Sequence, residues 1–216
     1  MDQTDKHPLS KERILDAAEA LFAEKGFHAV TVREITRAAH CNLAAVNYHF
    51  GNKQNLYLEV FRARWITRAR KIQTGFKKAL SAHDGTSLTG IVHALAKAFL
   101  KGPLTDEERL RHSQLMIREM TMPGLATDML VDEVIKPFFG ELAALLRPFL
   151  AEDAQREQIM LNILSIFSMV VYFNFARVPV MRVTGQEYDE RFKERLVEHI
   201  VQFSVSGLDV NRKEGA

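Results

Sequence analysis

Two helix-start signals lie close together in this chain, and they constrain its fold more than any other feature. Thr31 and Glu34 form an S/T-x-x-E capping box, and Asn42 offers a second N-cap shortly after the first helix must end. Gly51 then interrupts the second helix. The sequence therefore predicts two short helices joined by a turn of about three residues, which is helix-turn-helix spacing.

The rest of the chain also has the pattern of helices. Ser10 is predicted to cap a first helix that ends at Gly26, and Lys53 to open a long helix through about Leu80. Gly and Pro together are 17 of 216 residues, too few for a turn-rich β fold. The predicted fold class is all-α.

The region after residue 85 is predicted to be a second helical domain. Its expected helix starts are capping boxes at Thr105 and Thr184, and its expected turns are at Pro123-Gly124 and Val178-Pro179. The last helix carries apolar residues at near i, i+4 steps: Phe192, Leu196, Ile200 and Phe203.

The small net charge of +2 conceals an asymmetry along the chain. Residues 1–80 carry 14 Lys and Arg against 8 Asp and Glu, whereas residues 81–216 carry 15 against 19. A basic block before an acidic remainder suggests a polyanion-binding module joined to a domain with another task. A basic helix face that is simply solvated is the alternative.

The second short helix has an unusual outer face. Val46 and Phe50, with Leu43, are expected to be its buried stripe. The residues left outside are uncharged: Asn42, Ala44, Ala45, Asn47, Tyr48 and His49. Small and amide side chains suit close approach to a DNA groove, where Ala meets a thymine methyl and Asn pairs with adenine. The simpler alternative is that Asn42 only caps the helix and Asn47 only faces solvent.

Helix N-termini beside this face are candidate phosphate sites. Thr31 and Lys53 both start helices, whose free N–H groups and dipoles favour anions. Phosphate contacts would set the register, and the uncharged residues would read the bases.

The stretch before the last helix, from about Ala154 to Arg177, is apolar nearly all round. Such a helix must be covered on all sides. We expect the cover to be a second copy of the last two helices, which predicts a homodimer through a four-helix face. A fully buried core helix of a monomer is the alternative. Four polar residues interrupt its most apolar part, Ile159–Phe175, which therefore falls short of a membrane span.

These features together resemble the DNA-binding domain of the TetR family of transcriptional regulators. The resemblance covers residues 10–57 and is carried by several stretches at fixed spacing, namely Ile14–Ala18, Leu21–Phe27, Thr31–Ile35, Val46–Phe50 and Lys53. It implies a helix-turn-helix domain over residues 8–56 and a helical effector-binding and dimerisation domain over 57–210. It also implies a double-stranded DNA operator and, usually, repression that a small molecule relieves.

The predicted DNA-binding residues follow from the outer face together with this resemblance. They are Thr31, Arg33, Asn42, Leu43, Ala44, Ala45, Asn47, Tyr48, His49 and Lys53. One departure is His40, at a turn position where family members commonly have Gly and which usually takes positive φ. Position 43 is Leu where Lys or Pro is frequent, and this change could remove a DNA contact.

A softer resemblance extends beyond residue 60. Arg118–Met120 and Val134–Pro137, together with Ala44–Tyr48, are similar to a subgroup of the family typified by the CecR regulator. This similarity implies a role in responding to antibiotics or other toxic compounds, with the effector unidentified.

The effector is expected inside the second domain, as in other family members. The candidate lining residues are His93, Phe99, Met116, Arg118, Met120, Phe138, Phe167, Tyr172 and Asn174. Met and Phe suit adaptable apolar binding. The same residues at helical spacing are also typical of an ordinary core, and Arg118 and Glu119 could instead be an ion pair.

Other classes of function find little support. No nucleophile elbow, Walker loop or dinucleotide fingerprint occurs, so we expect no enzyme and no cofactor. The eight histidines have no metal-ligand spacing. Cys41 could sense oxidation, but a small thiol in a turn is the commoner interpretation. The polar N-terminus has no signal-peptide pattern, which predicts a cytoplasmic protein.

Overall fold

The computed structural model describes residues 6–82, 87–152 and 154–213. Every regular element in this part of the chain is a helix, which confirms the all-α prediction. The chain divides into two compact units. The first unit holds the described residues up to Ala69 together with Asp106–Val131, and the second holds Arg70–Thr105 and the described residues from Asp132 onward. The functional division at residues 56 and 57 stays a prediction.

The first unit contains the predicted helix-turn-helix. Its helices are α1 (Lys6–Lys25), α2 (Val32–Ala38), α3 (Leu43–Phe50), α4 (Lys53–Val60), α7 (Asp106–Thr121) and α8 (Thr127–Leu130). Helix α1 contacts α2, α3, α4 and α7, so it lies at the centre of this unit. A π-helical segment, Phe61–Ile66, follows α4 without a break and leads into α5 (Thr67–Ala82).

The second unit is a bundle of longer helices. They are α6 (Leu88–Leu100), α9 (Lys136–Leu146), α10 (Arg156–Phe175), α11 (Arg177–Thr184) and α12 (Glu190–Lys213). Helix α6 contacts α9, α10 and α12, and its buried positions include Ile91, Leu95 and Leu100. The burial of α6 explains why this helix is apolar on most of its surface.

Local capping residues set the limits of the short helices as predicted. The Thr31 hydroxyl accepts from the Glu34 N–H, and the Glu34 carboxylate accepts from the Thr31 N–H, so the capping box is complete. The Asn42 side chain accepts from the Ala45 N–H at 2.9 Å. Gly26 has φ of +82°, the left-handed conformation expected at a helix C-terminus.

Three other predictions about helix ends are wrong. Ser10 does not cap α1, because the helix already includes Lys6. Thr184 ends α11 instead of capping the last helix, and Asp189 caps α12 by accepting from the Phe192 N–H at 2.7 Å. Pro179 lies in the first turn of α11, where its missing N–H has no intrahelical acceptor to lose.

The turn before α3 has the positive φ expected at this position, which strains a residue other than glycine. His40 has φ of +49°, and it is the only non-glycine residue with positive φ in the described part of the chain. The left-handed region costs an L-residue about 1 kcal/mol or more, so the packing of α2 against α3 must maintain this conformation.

Helix α10 is less buried than its composition suggested. Leu161, Leu164, Tyr172 and Phe175 are each about half exposed, although Ile163 and Val170 are buried. The alternative of a fully buried core helix is therefore wrong for the single chain. The full helix Arg156–Phe175 also has the length and hydropathy of a membrane span, contrary to expectation, although apolar helices of soluble proteins meet the same criterion.

Candidate DNA-binding surface

Helix α3 presents the uncharged face that the sequence predicted. Val46 is fully buried and Phe50 nearly so, and together they fix α3 on the first unit. Asn42, Ala44 and Asn47 are exposed on the other side. Tyr48 is 74% exposed, which is high for a tyrosine and makes its ring accessible from outside the helix.

Leu43 is not part of the buried stripe, contrary to our expectation. Its side chain is 51% exposed at the first position of α3, next to the capping residue Asn42. An exposed leucine at this end enlarges the apolar part of the face. The predicted contact residues at positions 43, 44, 47 and 48 therefore all lie on accessible surface of one short helix.

Helix α3 is tied to α1 by a side-chain hydrogen bond. The Ser10 hydroxyl lies 2.8 Å from Nε2 of His49, across 39 residues of sequence. His49, a predicted DNA-binding residue, is half-buried as a result. Its position in this structure is that of a connector between the two helices, and its DNA contact stays a prediction.

Lys53 also has structural partners. Its ammonium donates to the carbonyls of Phe27 and Val30, both at 2.9 Å, and lies 4.2 Å from the centre of the Phe27 ring. The lysine therefore holds the turn between α1 and α2 against the start of α4. Its phosphate contact stays a prediction. That contact would use the third N–H of the ammonium, because the two carbonyls accept from the other two.

Helix α2 contributes a capped start and two exposed cations. The backbone N–H and hydroxyl of Thr31 both donate to Glu34, and Lys25 pairs with the same carboxylate; these contacts lower the pKa of Glu34 to about 2. Arg33 and Arg37 are exposed one turn apart. Arg37 was not among the predicted residues, although a basic residue one turn after Arg33 could have suggested it.

The predicted effector residues are divided between the two compact units, and their role in effector binding stays a prediction. Met116, Arg118 and Met120 belong to the first unit, and the other six belong to the second. In the second unit, Phe99 packs edge-on against Phe167 at 5.2 Å, and Phe138 packs in the same way against Phe76 at 5.7 Å. His93 is half-buried on α6 and Asn174 is buried on α10, so these residues contribute mainly to packing in this structure.

Tyr172, one of the predicted effector residues, lines a recess. The recess is an open groove of about 560 Å³ between α10 and α12. Its lining is mostly apolar: Ser168, Met169, Val171, Tyr172, Phe173, Phe175, His199 and Phe203. Phe203 is 63% exposed there, so it does not continue the buried stripe of Phe192, Leu196 and Ile200. No cluster of metal-ligating side chains occurs among the described residues.

Arg118 and Glu119 do not pair with each other, contrary to the ion-pair alternative. The Arg118 guanidinium donates to the Ala23 carbonyl at 2.8 Å and to the Glu24 carbonyl. Glu119 is 2% exposed and accepts from several donors around the end of α7. Both side chains therefore stabilise the first unit.

The first unit also encloses a buried cationic cluster. Arg68 pairs with the buried carboxylate of Glu19, and Arg109 is buried nearby. The His112 imidazole stacks on Trp65 at 4.6 Å, and no hydrogen-bond partner of its buried Nδ1 is found among the described residues. Burial and the neighbouring arginines Arg68 and Arg109 lower the pKa of His112 to about 3.

The pKa of His112 predicts that acid destabilises the first unit. The unfolded chain takes up a proton near pH 6.5 and the folded unit only near pH 3, so stability is lost as the pH falls through this window. Between pH 7 and pH 5 we expect the wild type to lose about 2 kcal/mol more than His112→Phe, which retains the stack on Trp65. Urea unfolding followed by Trp65 fluorescence measures this, and parallel pH profiles would contradict it.

A capped helix-turn-helix with an accessible second helix is the geometry of a large class of DNA-binding proteins. Residues 14–60 match the family described as bacterial regulatory proteins, tetR family. Residues 86–208 match the C-terminal domain of the HTH-type transcriptional dual regulator CecR. The chain belongs to the TetR family of DNA-binding transcriptional regulators, a non-enzymatic family, and carries the CecR C-terminal domain.

Individual relatives agree with this assignment. CecR of Shigella flexneri is 26% identical over 207 residues, which cover 92% of this chain and 90% of that protein. The repressor AcnR of Corynebacterium glutamicum is 40% identical over 58 residues, 27% of this chain and 31% of AcnR. The fatty acid degradation regulator FadR of Bacillus halodurans has the same fold, with a TM-score of 0.62 at 19% identity and coverage of 91% and 98%.

Proposed function

We propose that the protein is a repressor that binds a palindromic operator through α3 and is released by a small-molecule effector. The observation that carries the proposal is the exposed face of α3. Its accessible residues Leu43, Ala44, Asn47 and Tyr48 are all uncharged. A solvated face is normally rich in Lys and Glu. An amide, an aromatic ring and methyl groups match the donor, acceptor and methyl pattern of the major groove.

We expect the double substitution Asn47→Ala, Tyr48→Ala to weaken operator binding about 100-fold at constant salt. Each lost base contact costs roughly 1–3 kcal/mol, and both side chains are exposed, so the fold is kept. Fluorescence anisotropy with a labelled operator duplex measures the loss. Glu12→Ala, an exposed change on α1, is the control. Unchanged affinity of the double variant would show that α3 does not read the DNA.

A non-specific nucleic-acid protein is the second candidate, and the basic first 80 residues favour it. It predicts a steep dependence of affinity on salt with little preference between sequences, because phosphate contacts would supply the binding energy. A repressor instead prefers its site by about 10³-fold or more. Competition between an operator and a scrambled duplex at one salt concentration separates the two.

The exposed side of α10 and the groove beside it support the proposal of a homodimer through α10 and α12. Helix α10 carries no charged residue after Glu157. Its exposed apolar residues include Tyr172 and Phe175, which together with Phe203 line the open groove of about 560 Å³. The same face of a second copy would cover this apolar surface, as in a two-fold interface.

Placing a charge on this face is expected to dissociate the dimer. Phe203→Glu buries two carboxylates without partners in each dimer, so a mass of two chains should become a mass of one chain in light scattering at micromolar concentration. Gln202→Glu, an exposed neighbour outside the groove lining, is the matched control and should stay dimeric. A wild-type protein that is monomeric under these conditions would refute the proposed dimer.

We further propose that the effector acts through the spacing of the two α3 helices in the dimer. Bound effector must favour a conformation whose spacing no longer fits the operator, since a ligand with equal affinity for both conformations shifts nothing. The continuous helical stretch from Lys53 to Ala82 begins in the first unit and ends in the second, which makes it the proposed lever. A cytoplasmic location accompanies this function, because the operator lies there.

A further inference from the structure

The C-terminal end of α7 is attached to the last turn of α1. Nε of Arg118 donates to the Ala23 carbonyl at 2.8 Å, and its Nη2 donates to the Glu24 carbonyl. The last carbonyls of a helix lack intrahelical donors and carry its negative dipole end. The guanidinium therefore acts as a C-terminal cap of α1 that comes from a residue 94 positions away in sequence.

The next residue, Glu119, attaches the same end of α7 to α4. Its Oε2 accepts from the Tyr57 hydroxyl at 2.8 Å. Its Oε1 accepts from the N–H groups of Gly124 and Ala126 and from the Thr127 hydroxyl, at 2.8–3.1 Å. One buried carboxylate thus joins α4 to the turn that follows α7.

Tyr57 connects this carboxylate to the aromatic core of the first unit. Its ring packs edge-on against Phe22, Phe27 and Phe61, each with centroids 5.0 Å away. Phe22 belongs to α1, and Phe27 begins the turn to α2. Movement of the Tyr57 ring would therefore disturb the packing between α1 and α4.

Helix α3 packs against α1 and α4, the same two helices to which α7 is hydrogen-bonded. The Ser10–His49 hydrogen bond also fixes α3 to α1. Asp106–Thr121 lies within residues 86–208, the part that matches the CecR C-terminal domain, yet it is part of the first compact unit. Helix α7 therefore belongs by sequence to the CecR C-terminal domain, yet it packs in the first unit and supports the helices that hold α3.

We propose that Arg118, Glu119 and Tyr57 are positioning residues for sequence-specific DNA binding. They hold α1 and α4, and through them the orientation of α3, without touching the DNA themselves. This inference rests on the proposed function of α3. Because it concerns orientation, loss of the contacts should reduce affinity for the specific site and leave binding to unrelated DNA unchanged, since non-specific binding depends on phosphate contacts.

The test uses Tyr57→Phe and Arg118→Gln in the full chain. The probe is the duplex that the wild-type protein selects from a random-sequence pool, compared with a scrambled duplex of the same length. We expect each variant to lose about 5- to 30-fold in affinity for the selected duplex, with no change for the scrambled one. Arg111→Gln removes the same charge from the same helix. It breaks an exposed pair with Glu107 and a 3.6 Å contact with Glu19, which keeps its pair with Arg68, so we expect wild-type affinity for both duplexes.

Two further measurements separate positioning from a loss of folding. Trp65, stacked on His112 of α7, should keep its wild-type emission in both variants. Arg118→Lys retains a cation at the end of α1 and should recover part of the lost specific affinity. Equal losses on both duplexes, no loss on the selected duplex, or an equal loss in Arg111→Gln would overturn the inference. A wild-type protein that selects no duplex would instead refute the proposed function.

Discussion

Replacing Glu119 with alanine is expected to destabilise the first unit by about 3–5 kcal/mol. The carboxylate is 2% exposed and accepts four hydrogen bonds, from Tyr57, Gly124, Ala126 and Thr127. A hydrogen bond to a charged group contributes about 1.5–3 kcal/mol, and a buried donor left without an acceptor costs about 1–3 kcal/mol. Loss of this single group leaves several donors unsatisfied at once, which places the variant among the large-effect substitutions.

Urea unfolding followed by Trp65 fluorescence measures this effect, because the chain has one tryptophan and it lies in the first unit. Glu119→Gln is the matched control. Its amide oxygen can accept the bonds to the turn and its NH₂ can donate to the Tyr57 oxygen, so we expect a loss of only about 1–2 kcal/mol. A Glu119→Ala protein within 1 kcal/mol of the wild type, taken as roughly one lost hydrogen bond, would contradict the role given to this carboxylate.

Replacing Arg68 with methionine is expected to have a similar effect, a loss of about 3–5 kcal/mol. The guanidinium pairs with Glu19, whose side chain is only 1% exposed. Removing one partner of a buried pair leaves an uncompensated charge in a medium that solvates it poorly. Arg111 lies 3.6 Å from the same carboxylate and offsets part of the loss.

Two controls make the Arg68 result specific to burial. Arg64→Met breaks ion pairs with the exposed carboxylates of Glu12 and Asp16 and should cost about 1 kcal/mol or less. Adding Glu19→Leu to Arg68→Met removes the stranded charge and should recover most of the stability. If Arg68→Met and Arg64→Met behave alike under the same urea titration, the cluster contributes no more than a surface pair.

Much of the helix-turn-helix could be predicted because its determinants are local. A capping box and an Asn cap act over three residues, and Gly26 ends α1 through its own backbone conformation. The burial of Val46 and Phe50 follows from a one-turn spacing. Such features are visible in any short window of sequence.

Contacts between distant residues could not be predicted from the sequence. The partners of Arg118, the Ala23 and Glu24 carbonyls, are backbone atoms almost a hundred positions earlier, and the effector contact of Arg118 stays a prediction. Nothing near Glu119 in sequence indicates that Tyr57 donates to it. The exposure of Leu43 depends on which side of α3 packs against α1 and α4. In a helix of only eight residues, the spacing of apolar residues does not determine that side.

Footprinting of the purified protein on genomic DNA shows whether α3 reads an operator. A dimer that reads DNA through α3 protects discrete sites with two-fold symmetry, whose half-sites lie about one helical turn (~34–36 Å) or a multiple of it apart. The Asn47→Ala, Tyr48→Ala variant should lose these sites at the same protein and salt concentrations. Protection spread evenly over the DNA, or the same sites protected by the variant, would contradict the claim that α3 reads an operator.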